Sequence, residues 1–275
     1  MTATRAVVLA RGLGTRMRAA DPGALLTPEQ QIAADAGLKV LIPVNGRPFL
    51  DYVLSALADA GVTDVVLVVA PDHGAVRHHY PADAQLSRIR LSLVVQPEAL
   101  GTADAVLAAE RWVNGAPFLT MNADNLYPTA ALEALAGLDE PGLPVFAREE
   151  LVRSGNIPAD RVRAFALVDV DADGYLSGIV EKPPERFDVA AEGHSEREAL
   201  VSMNCWRFDS RIFQACRDVP RSPRGEFELP EAVGLAMRRG VRFRALRMGG
   251  SVLDLSRRTD AVEVARRLEG VVPRP

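Results

Sequence analysis

The segment Ala6-Val7-Val8-Leu9-Ala10-Arg11-Gly12-Leu13-Gly14-Thr15-Arg16-Met17 decides the fold prediction. Its first five residues are apolar and include two β-branched valines, which is typical of a buried strand. Gly12 and Gly14 follow the strand and let the backbone approach a ligand closely, and the exposed N–H groups of such a loop attract anions. The segment therefore predicts a strand followed by a loop suited to phosphate.

Two common nucleotide-binding motifs do not fit this loop. The dinucleotide fingerprint needs a third glycine three residues after the second, and Met17 stands there, which disfavours a dehydrogenase. The phosphate loop that ends in Gly-Lys-Ser/Thr is also absent from the sequence. A plain tight turn explains two glycines about equally well, but Arg16 directly behind them favours contact with phosphate.

Strand-like and helix-like stretches alternate through the first half of the chain. Strands are predicted at 64–69, 91–95 and 118–121, and helices at 48–60 and 102–112. This alternation is typical of βαβ units and predicts a mainly parallel sheet.

The second half adds strands to the same sheet. Residues 163–169 and 175–181 flank Asp171-Ala172-Asp173-Gly174, which is a hairpin signal. Residues 201–208, 241–247 and 251–255 predict further strands, and the polar stretch 185–198 predicts a mobile surface loop. The predicted fold class is α/β: a Rossmann-like three-layer α/β/α sandwich with a mixed, mainly parallel sheet and an added antiparallel hairpin.

Composition narrows the class of protein further. The 275 residues have a mass of 29.6 kDa and are 48% hydrophobic and 25% charged, which suits one large globular domain. The net charge of −4 predicts no bulk attraction to nucleic acid. Two cysteines cannot form a disulfide framework, and no run of about 18 apolar residues is present. We therefore expect a cytoplasmic protein that does not span or bind a membrane.

Six segments, in the same order along the chain, resemble those of the sugar-phosphate nucleotidyltransferases, also called nucleoside-diphosphate-sugar pyrophosphorylases. The resemblance is to glucose-1-phosphate thymidylyl- and uridylyltransferases in particular. It implies a single domain over 1–275, with a nucleotide-binding half at 1–125 and a sugar-phosphate-binding half at 126–275. The segments are Leu9–Met17, Lys39–Leu50, Gln96–Ala105, Asn122–Asn125, Val180–Pro183 and Leu253–Leu255.

The resemblance implies a reaction and a role for each matching residue. A nucleotidyl group would pass from a nucleoside triphosphate to a sugar 1-phosphate, with release of pyrophosphate. Asp124 and Asp254 would hold Mg²⁺, since this hard cation prefers carboxylate and phosphate oxygens. The catalytic cations would be Arg16, Lys39 and Lys182, the last of them on the sugar phosphate. The other implied contacts are to the nucleotide from Leu9, Ala10, Gly12, Gly14, Thr15, Gln96, Gly101 and Thr102, and to the sugar from Asn122, Glu181 and Asn204.

Each of these residue types also has an ordinary structural role. Asp124 would suit a turn or a helix cap, Asp254 a strand end, and the lysines and arginines a solvated surface. Turn chemistry is disfavoured for Asn204 because it lies within a strand-like run. Gln96 carries a donor and an acceptor that suit a pyrimidine edge, so UTP or dTTP is the expected nucleotide.

The sequence departs from the family pattern at two places near the nucleotide segments. Arg11 stands where the family usually has glycine or alanine. The interval between Arg16 and Lys39 is longer than usual, and its extra residues, 21–37, contain a helix-start signal at Thr27-Pro28 and would suit a lid.

Two other functions remain open at this stage. One is a nucleotidyltransferase acting on a polyol or cyclitol phosphate. The other is a non-catalytic sensor of sugar nucleotides, which the intact set of aspartates and cations disfavours. The resemblance also leaves open whether the chain forms a homo-oligomer.

Overall fold

Strands occur along almost the whole chain. A computed structural model describes residues 2–12, 14–21, 23–81, 86–181 and 199–275. The strands within these ranges are β1 (Arg5–Leu9), β2 (Pro43–Val44), β3 (Arg47–Pro48), β4 (Asp64–Val69), β5 (Arg90–Val95), β6 (Phe118–Asn122), β7 (Asn125–Leu126), β8 (Gly142–Ala147), β9 (Ala166–Val170), β10 (Leu176–Val180), β11 (Leu200–Ser202), β12 (Trp206–Phe208), β13 (Arg244–Arg247) and β14 (Leu253–Asp254).

One large mixed sheet organises the fold. Within the described ranges it has ten strands, in the order β10-β9-β11-β8-β12-β6-β1-β4-β5, with β13 also paired to β8. Strands β6, β1, β4 and β5 are parallel neighbours. Strands β12, β11 and β10 run against the rest, each antiparallel to its neighbours. The prediction of a mixed, mainly parallel sheet with an added antiparallel hairpin is confirmed.

Helices connect the strands and cover both faces of this sheet. They are α1 (Thr15–Arg18), α2 (Pro28–Asp35), α3 (Phe49–Asp59), α4 (Gly74–His79), α5 (Thr102–Ala108), α6 (Glu110–Val113), α7 (Thr129–Gly137), α8 (Arg148–Ser154), α9 (Ala159–Val162), α10 (Arg211–Asp218), α11 (Leu229–Arg238) and α12 (Arg258–Arg267). A short 3₁₀ turn spans Lys39–Leu41.

Two apolar cores lie on the two faces of the sheet. Strand β1 shows how: Ala6 and Val8 pack in the core that contains α3 and α7, whereas Val7 packs in the core that contains α5, α10 and α11. All three side chains are fully buried. A strand buried on both faces is apolar throughout, which explains the unbroken run in the sequence. Helices on both faces make the predicted three layers.

Two predicted elements are wrong in detail. The stretch 201–208 is not one strand, because Asn204 adopts a positive φ of 63° and separates β11 from β12. The two strands then lie on opposite sides of β8, with β9 beyond β11 and β6 beyond β12, so Asn204 is a bend residue after all. The predicted helix 102–112 breaks at Ala109 into α5 and α6. The predicted loop 185–198 lies outside the described residues.

The extra residues 21–37 contain helix α2, as the Thr27-Pro28 signal predicts. Thr27 accepts a hydrogen bond from the Gln30 backbone, and the Gln30 side chain accepts one from the Thr27 backbone, which forms a capping box. Gln30 also donates to the Pro43 carbonyl at 2.8 Å, and Asp35 pairs with Arg258 at 2.6 Å. These bonds anchor α2 to the rest of the domain.

Among the described residues, no helix is both long enough and apolar enough to cross a membrane.

Candidate active site

A cleft with a volume of about 380 Å³ opens at the carboxyl ends of β1, β4, β5 and β6. Because β1 is parallel to β4 and β6, with Leu9 opposite both Val68 and Asn122, the residues that follow these strands meet at one edge. Ligands of open α/β sheets bind at this edge. The predicted site residues in the wall are Leu9, Ala10, Gly12, Thr15, Lys39, Gln96, Gly101, Thr102, Asn122 and Asp124.

The glycine loop folds against the end of the extra segment. Gly14 has a φ of 64°, and a Cβ there would lie 2.4 Å from the Gly37 carbonyl oxygen. Only glycine fits such a conformation and such an approach without displacement of the backbone. Gly37 lines the cleft, whereas Gly14 supports it from behind. Gly14 therefore shapes the glycine loop instead of forming the cleft wall.

Lys39 and Asp124 form an ion pair in the cleft. The Lys39 ammonium lies 2.6 Å from Asp124 Oδ2, and each side chain is about one fifth exposed, at 20%. Burial acts to lower the pKa of Lys39, but the charge and hydrogen bond of Asp124 outweigh it and the net pKa is raised. Arg16 is exposed beside this pair, and its positive charge acts on Lys39. Lys39 is therefore a stable cation in the cleft.

Asp254 lies next to Asp124 because two short strands pair. In β7 and β14, Asp254 stands opposite Asn125, and the Leu255 N–H donates to the Asp124 carbonyl at 2.9 Å. Asn156 holds the Asp254 backbone through two hydrogen bonds of 2.7 and 2.8 Å. The resemblance placed both aspartates at one metal, and the fold brings them together.

The electrostatics of Asp254 favour a cation. Burial, together with the charge of Asp124, raises the pKa of the Asp254 carboxyl to about 6. Ser256 donates to it at 2.5 Å and Arg161 lies 3.6 Å away, which only partly offsets these effects. A divalent cation between the two carboxylates would relieve their repulsion. The two hard oxygen donors thus fit a metal such as Mg²⁺.

The metal position would be open to substrate. Within the described residues, no group of three or more His, Cys, Asp and Glu side chains is placed to enclose a metal ion. Two protein carboxylates leave coordination positions for phosphate oxygens and water, which is how Mg²⁺ is usually bound beside nucleotides.

Gln96 is tied into the protein more tightly than the sequence indicates. Its Nε2 amide nitrogen donates to Asp104 at 2.7 Å and to the Gly101 carbonyl at 3.1 Å. A flipped amide would direct its oxygen at the Asp104 carboxylate, so these partners fix the orientation. The donor expected for a base edge is therefore used inside the protein, and the Oε1 oxygen is left as an acceptor.

Gly101 and Thr102 line the cleft and also hold a neighbouring segment. A Cβ on Gly101, whose φ is 111°, would lie 2.4 Å from the Phe227 carbonyl oxygen. The Thr102 hydroxyl accepts a hydrogen bond from the Leu229 N–H at 2.9 Å, at the start of α11. This packing brings Glu226 into the cleft wall.

Two of the three predicted sugar residues, Asn122 and Asn204, lie at the β6 side of the site. Asn204 donates to Asn122 at 3.1 Å and accepts from the Trp206 indole at 2.9 Å. Asn122 lines the cleft, and Asn204 lies directly behind it. Glu181 lies outside the cleft wall, near Arg224 at 4.0 Å. Lys182 lies outside the described residues, so its role as a sugar-phosphate contact stays a prediction.

Sequence reasoning missed several residues of the cleft. His73 follows strand β4 at the same sheet edge as Asp124, so its position after a predicted strand was a usable signal. Glu226 gave no such signal, because its place depends on the contact between Gly101 and Phe227. The other wall residues are Arg11, Gly37, Leu38, Val40, Val76, Ala99, Ala105 and Ala123.

Comparison with known proteins identifies the class. Residues 5–255 match the Nucleotidyl transferase family, so the chain belongs to that family and is a nucleotidyltransferase. The resemblance carried by the six segments is confirmed.

Individual relatives agree with this assignment. The UTP–glucose-1-phosphate uridylyltransferase AglF of Haloferax volcanii is 28% identical over 266 residues, which cover 96% of this chain and 96% of the relative. A glucose-1-phosphate thymidylyltransferase of Streptomyces antibioticus is 28% identical over 98% of this chain and 68% of its own. A UTP-bound UGPase from Acinetobacter baumannii has the same fold, with a TM-score of 0.73 at 19% identity over 99% of this chain and 96% of that chain.

Proposed function

We propose that this enzyme transfers a uridylyl or thymidylyl group from UTP or dTTP to a sugar 1-phosphate, with Mg²⁺ and release of pyrophosphate. The observation that carries the proposal is the group formed by Lys39 and Asp124 in the cleft wall and by Asp254, which is buried beside Asp124 and outside the wall. The names of the uridylyl- and thymidylyltransferase relatives support the choice of substrates.

The proposed chemistry is a single displacement at phosphorus. A phosphate oxygen of the sugar 1-phosphate forms a bond to the α-phosphorus of the triphosphate. The bond from that phosphorus to the β-phosphate bridging oxygen breaks, and pyrophosphate leaves with the electron pair. The attacking oxygen is already ionised, so no general base is required. Catalysis then consists of holding two polyanions in line and neutralising their charge.

The residues that line the cleft, together with Arg16 and Asp254 beside it, divide this task. Arg16 and Lys39 would bind the triphosphate and the departing pyrophosphate, and Lys39 keeps its proton because its pKa is raised. Asp124 and Asp254 would hold Mg²⁺, which supplies positive charge to the phosphate oxygens. Leu9, Ala10 and Gly12 would support the nucleotide through their backbone.

The sugar phosphate would bind on the other side of Asp124. Asn122 and Asn204 form a hydrogen-bonded pair there, and Asn122, which lines the cleft, would contact sugar hydroxyls. Glu181 and Lys182 would complete this side, in keeping with the proposed division of one domain into a nucleotide half and a sugar-phosphate half.

A substrate matrix tests the proposal. UTP, dTTP, CTP, ATP and GTP are each combined with several sugar 1-phosphates, and pyrophosphate release is measured with Mg²⁺. We expect release with UTP or dTTP and at least one sugar 1-phosphate. Release of pyrophosphate only with polyol or cyclitol phosphates would show that one of these phosphates, and not a sugar 1-phosphate, is the acceptor. Nucleotide-sugar binding without release in any combination would instead indicate a sensor and contradict the proposal.

A further inference from the structure

Two buried nitrogen atoms in the cleft wall lack a partner. Arg11 Nη1 and His73 Nδ1 are both shielded from solvent, and neither has a hydrogen-bond partner among the described residues. Both residues line the cleft. Buried polar atoms are nearly always paired in native proteins, so unpaired ones in a cleft indicate a contact that the ligand completes.

Arg11 is held rigidly. Its Nε donates to the Gln96 carbonyl at 3.2 Å, and its Nη2 donates to the Pro97 carbonyl at 3.3 Å. The guanidinium is planar, so these two bonds fix the direction of the third nitrogen, Nη1. Within the described chain, no carboxylate forms an ion pair with Arg11, so its charge is available to a ligand.

The position of Arg11 in the cleft indicates which part of the ligand it meets. Asp124 follows β6, whereas Gln96 and Pro97, which anchor Arg11, follow β5. Strands β6 and β5 are three neighbours apart in the sheet, which is roughly 14 Å at the usual spacing. If the reacting phosphates lie at Asp124, as the proposed function requires, the far end of the nucleotide reaches Arg11. That end is the base.

The polar groups at this end have a defined pattern. Arg11 Nη1 is a donor, and Gln96 retains only an acceptor oxygen because Asp104 and Gly101 take its amide hydrogens. A carbonyl oxygen beside a ring N–H complements a donor beside an acceptor. Uracil, thymine and guanine present that pair, whereas cytosine and adenine carry an amino group where the carbonyl would be.

His73 carries no positive charge that would compete with Arg11 for the carbonyl oxygen of the base. Burial lowers the pKa of His73, and the charges of Arg11, Arg18 and Arg77 lower it as well, against the opposing effect of Asp72. The imidazole is therefore neutral at pH 7, and of the two residues with an unpaired nitrogen in the cleft wall, Arg11 is the one that carries a charge.

We infer that Arg11 is a specificity-determining residue, whose Nη1 donates to the carbonyl oxygen of the base and selects keto bases over amino bases. The inference rests on the proposed function for the direction in which the nucleotide lies. It adds a residue that discriminates UTP from CTP, two nucleotides that differ only at one edge of the base.

The test compares binding of UTP and CTP by calorimetry, without sugar phosphate. Wild-type protein should bind UTP at least tenfold more tightly than CTP, because a charge-assisted hydrogen bond corresponds to about a ten- to hundredfold change in affinity. Arg11→Met should reduce that ratio to within threefold, through weaker UTP binding and unchanged CTP binding. Arg11→Lys, which keeps the charge but not the rigid fork, should retain part of the preference. The matched control is Arg77→Met, which removes a nearby exposed charge outside the cleft wall and should leave the ratio unchanged.

Two results would overturn the inference. One is equal affinity of the wild type for UTP and CTP. The other is an Arg11→Met variant that loses affinity for both nucleotides to the same extent, which would place Arg11 at the phosphates or in the shape of the cleft. Unchanged CTP binding also verifies that the variant is folded. The calorimetry contains no sugar phosphate, so it is independent of the substrate matrix. Absence of pyrophosphate release in the matrix would contradict the proposed function, and the measured ratio of UTP to CTP affinity would still stand.

Discussion

At the scale of single residues, the site is explained by charges that the fold forces together. Asp124 and Asp254 are 130 positions apart in the numbering, yet they meet through the pairing of β7 with β14. Burial, together with their mutual repulsion, raises the pKa of Asp254, and a cation bound between the two carboxylates would relieve that repulsion. Lys39 neutralises part of the same charge. The arrangement is therefore suited to ligands that bring both a metal and phosphates.

The metal assignment predicts a selective loss of turnover. Asp124→Asn removes one carboxylate charge and should reduce kcat by orders of magnitude, because a catalytic metal contributes several kcal/mol to transition-state stabilisation. Asp173→Asn, at the exposed tip of the hairpin, is the matched control and should leave kcat unchanged. Turnover of Asp124→Asn within threefold of wild type at saturating Mg²⁺ would refute the assignment.

The two lysines should affect different substrates. Lys182→Met should raise the KM for sugar 1-phosphate by about one to two orders of magnitude, since a charge-assisted contact contributes roughly 1.5–3 kcal/mol. Lys39→Met should first weaken UTP binding, as measured by calorimetry. If Lys182→Met weakened UTP binding and spared the KM for sugar phosphate, Lys182 would belong to the triphosphate site.

The raised pKa of Glu181 leads us to expect that the stability of the protein depends on pH. Burial, together with the charge of Glu228, raises the pKa of Glu181 to about 7 from an ordinary value of 4.5, and Arg224 opposes this. The folded state thus binds the proton more tightly than the unfolded state. Glu181 therefore favours folding below pH 4.5, and this contribution is lost as the pH rises through 7. The full change is about 3 kcal/mol.

Urea unfolding between pH 4 and pH 8 measures this effect. The free energy of unfolding of Glu181→Gln should fall less with rising pH than that of the wild type. Glu133→Gln, an exposed change on α7, is the control and should follow the wild-type curve. Identical pH profiles for Glu181→Gln and the wild type would show that the carboxyl is not perturbed by its surroundings.

At the scale of elements, short connections between helices and strands position the residues of the site. Strands β1, β4, β5 and β6 were predictable because each is an apolar run between turn signals. The bend at Asn204 was not predicted, because the apolar residues on both sides of the asparagine, Met203 and Cys205, continue the strand-like pattern. The two-residue pairing of β7 with β14 could not be predicted either, because it joins residues that are far apart in the chain. The use of the Gln96 amide by Asp104 depends likewise on how α5 packs.

The contact between Gly14 and Gly37 predicts a difference between two glycine substitutions. Gly14→Ala and Gly61→Ala both place alanine at a positive φ, but only Gly14 has backbone atoms closer than 3 Å to the new Cβ. Gly61→Ala should cost about 1–2 kcal/mol of stability, the usual penalty for this conformation. Gly14→Ala should cost a further 1–3 kcal/mol or so from overpacking and should also weaken UTP binding. Equal costs in urea unfolding, with UTP affinity unchanged, would show that the loop yields freely.

The predicted lid, residues 21–37, divides into an anchored part and an exposed part. Helix α2 is held by Gln30 and Asp35, whereas Leu25 is 83% exposed. We expect hydrogen exchange at 23–26 to be fast in the free protein and slower when nucleotide is bound, as in other lids. Exchange that is slow without nucleotide and unchanged by it would make the whole segment structural.

At the scale of the whole molecule, one sheet would place the two proposed substrates side by side. The parallel strands β5, β4, β1 and β6 form the cleft proposed for the nucleotide, and the antiparallel additions beyond β6 extend the same sheet towards Asn204 and Glu181. The carboxylates lie where the two parts join. Fold class and the order of segments were predictable from sequence, because both follow from local pattern. Which residues touch across this junction was not, because it depends on tertiary packing.

The central step of the proposed reaction is the bond that a sugar-phosphate oxygen forms to the α-phosphorus of the nucleotide. Sugar 1-phosphate carrying ¹⁸O in its three non-bridging phosphate oxygens tests this step when it reacts with unlabelled UTP or dTTP and Mg²⁺. Mass spectrometry of the products should find all three labelled atoms in the nucleotide sugar and none in the pyrophosphate. A product without the sugar, or label in the pyrophosphate, would contradict the account.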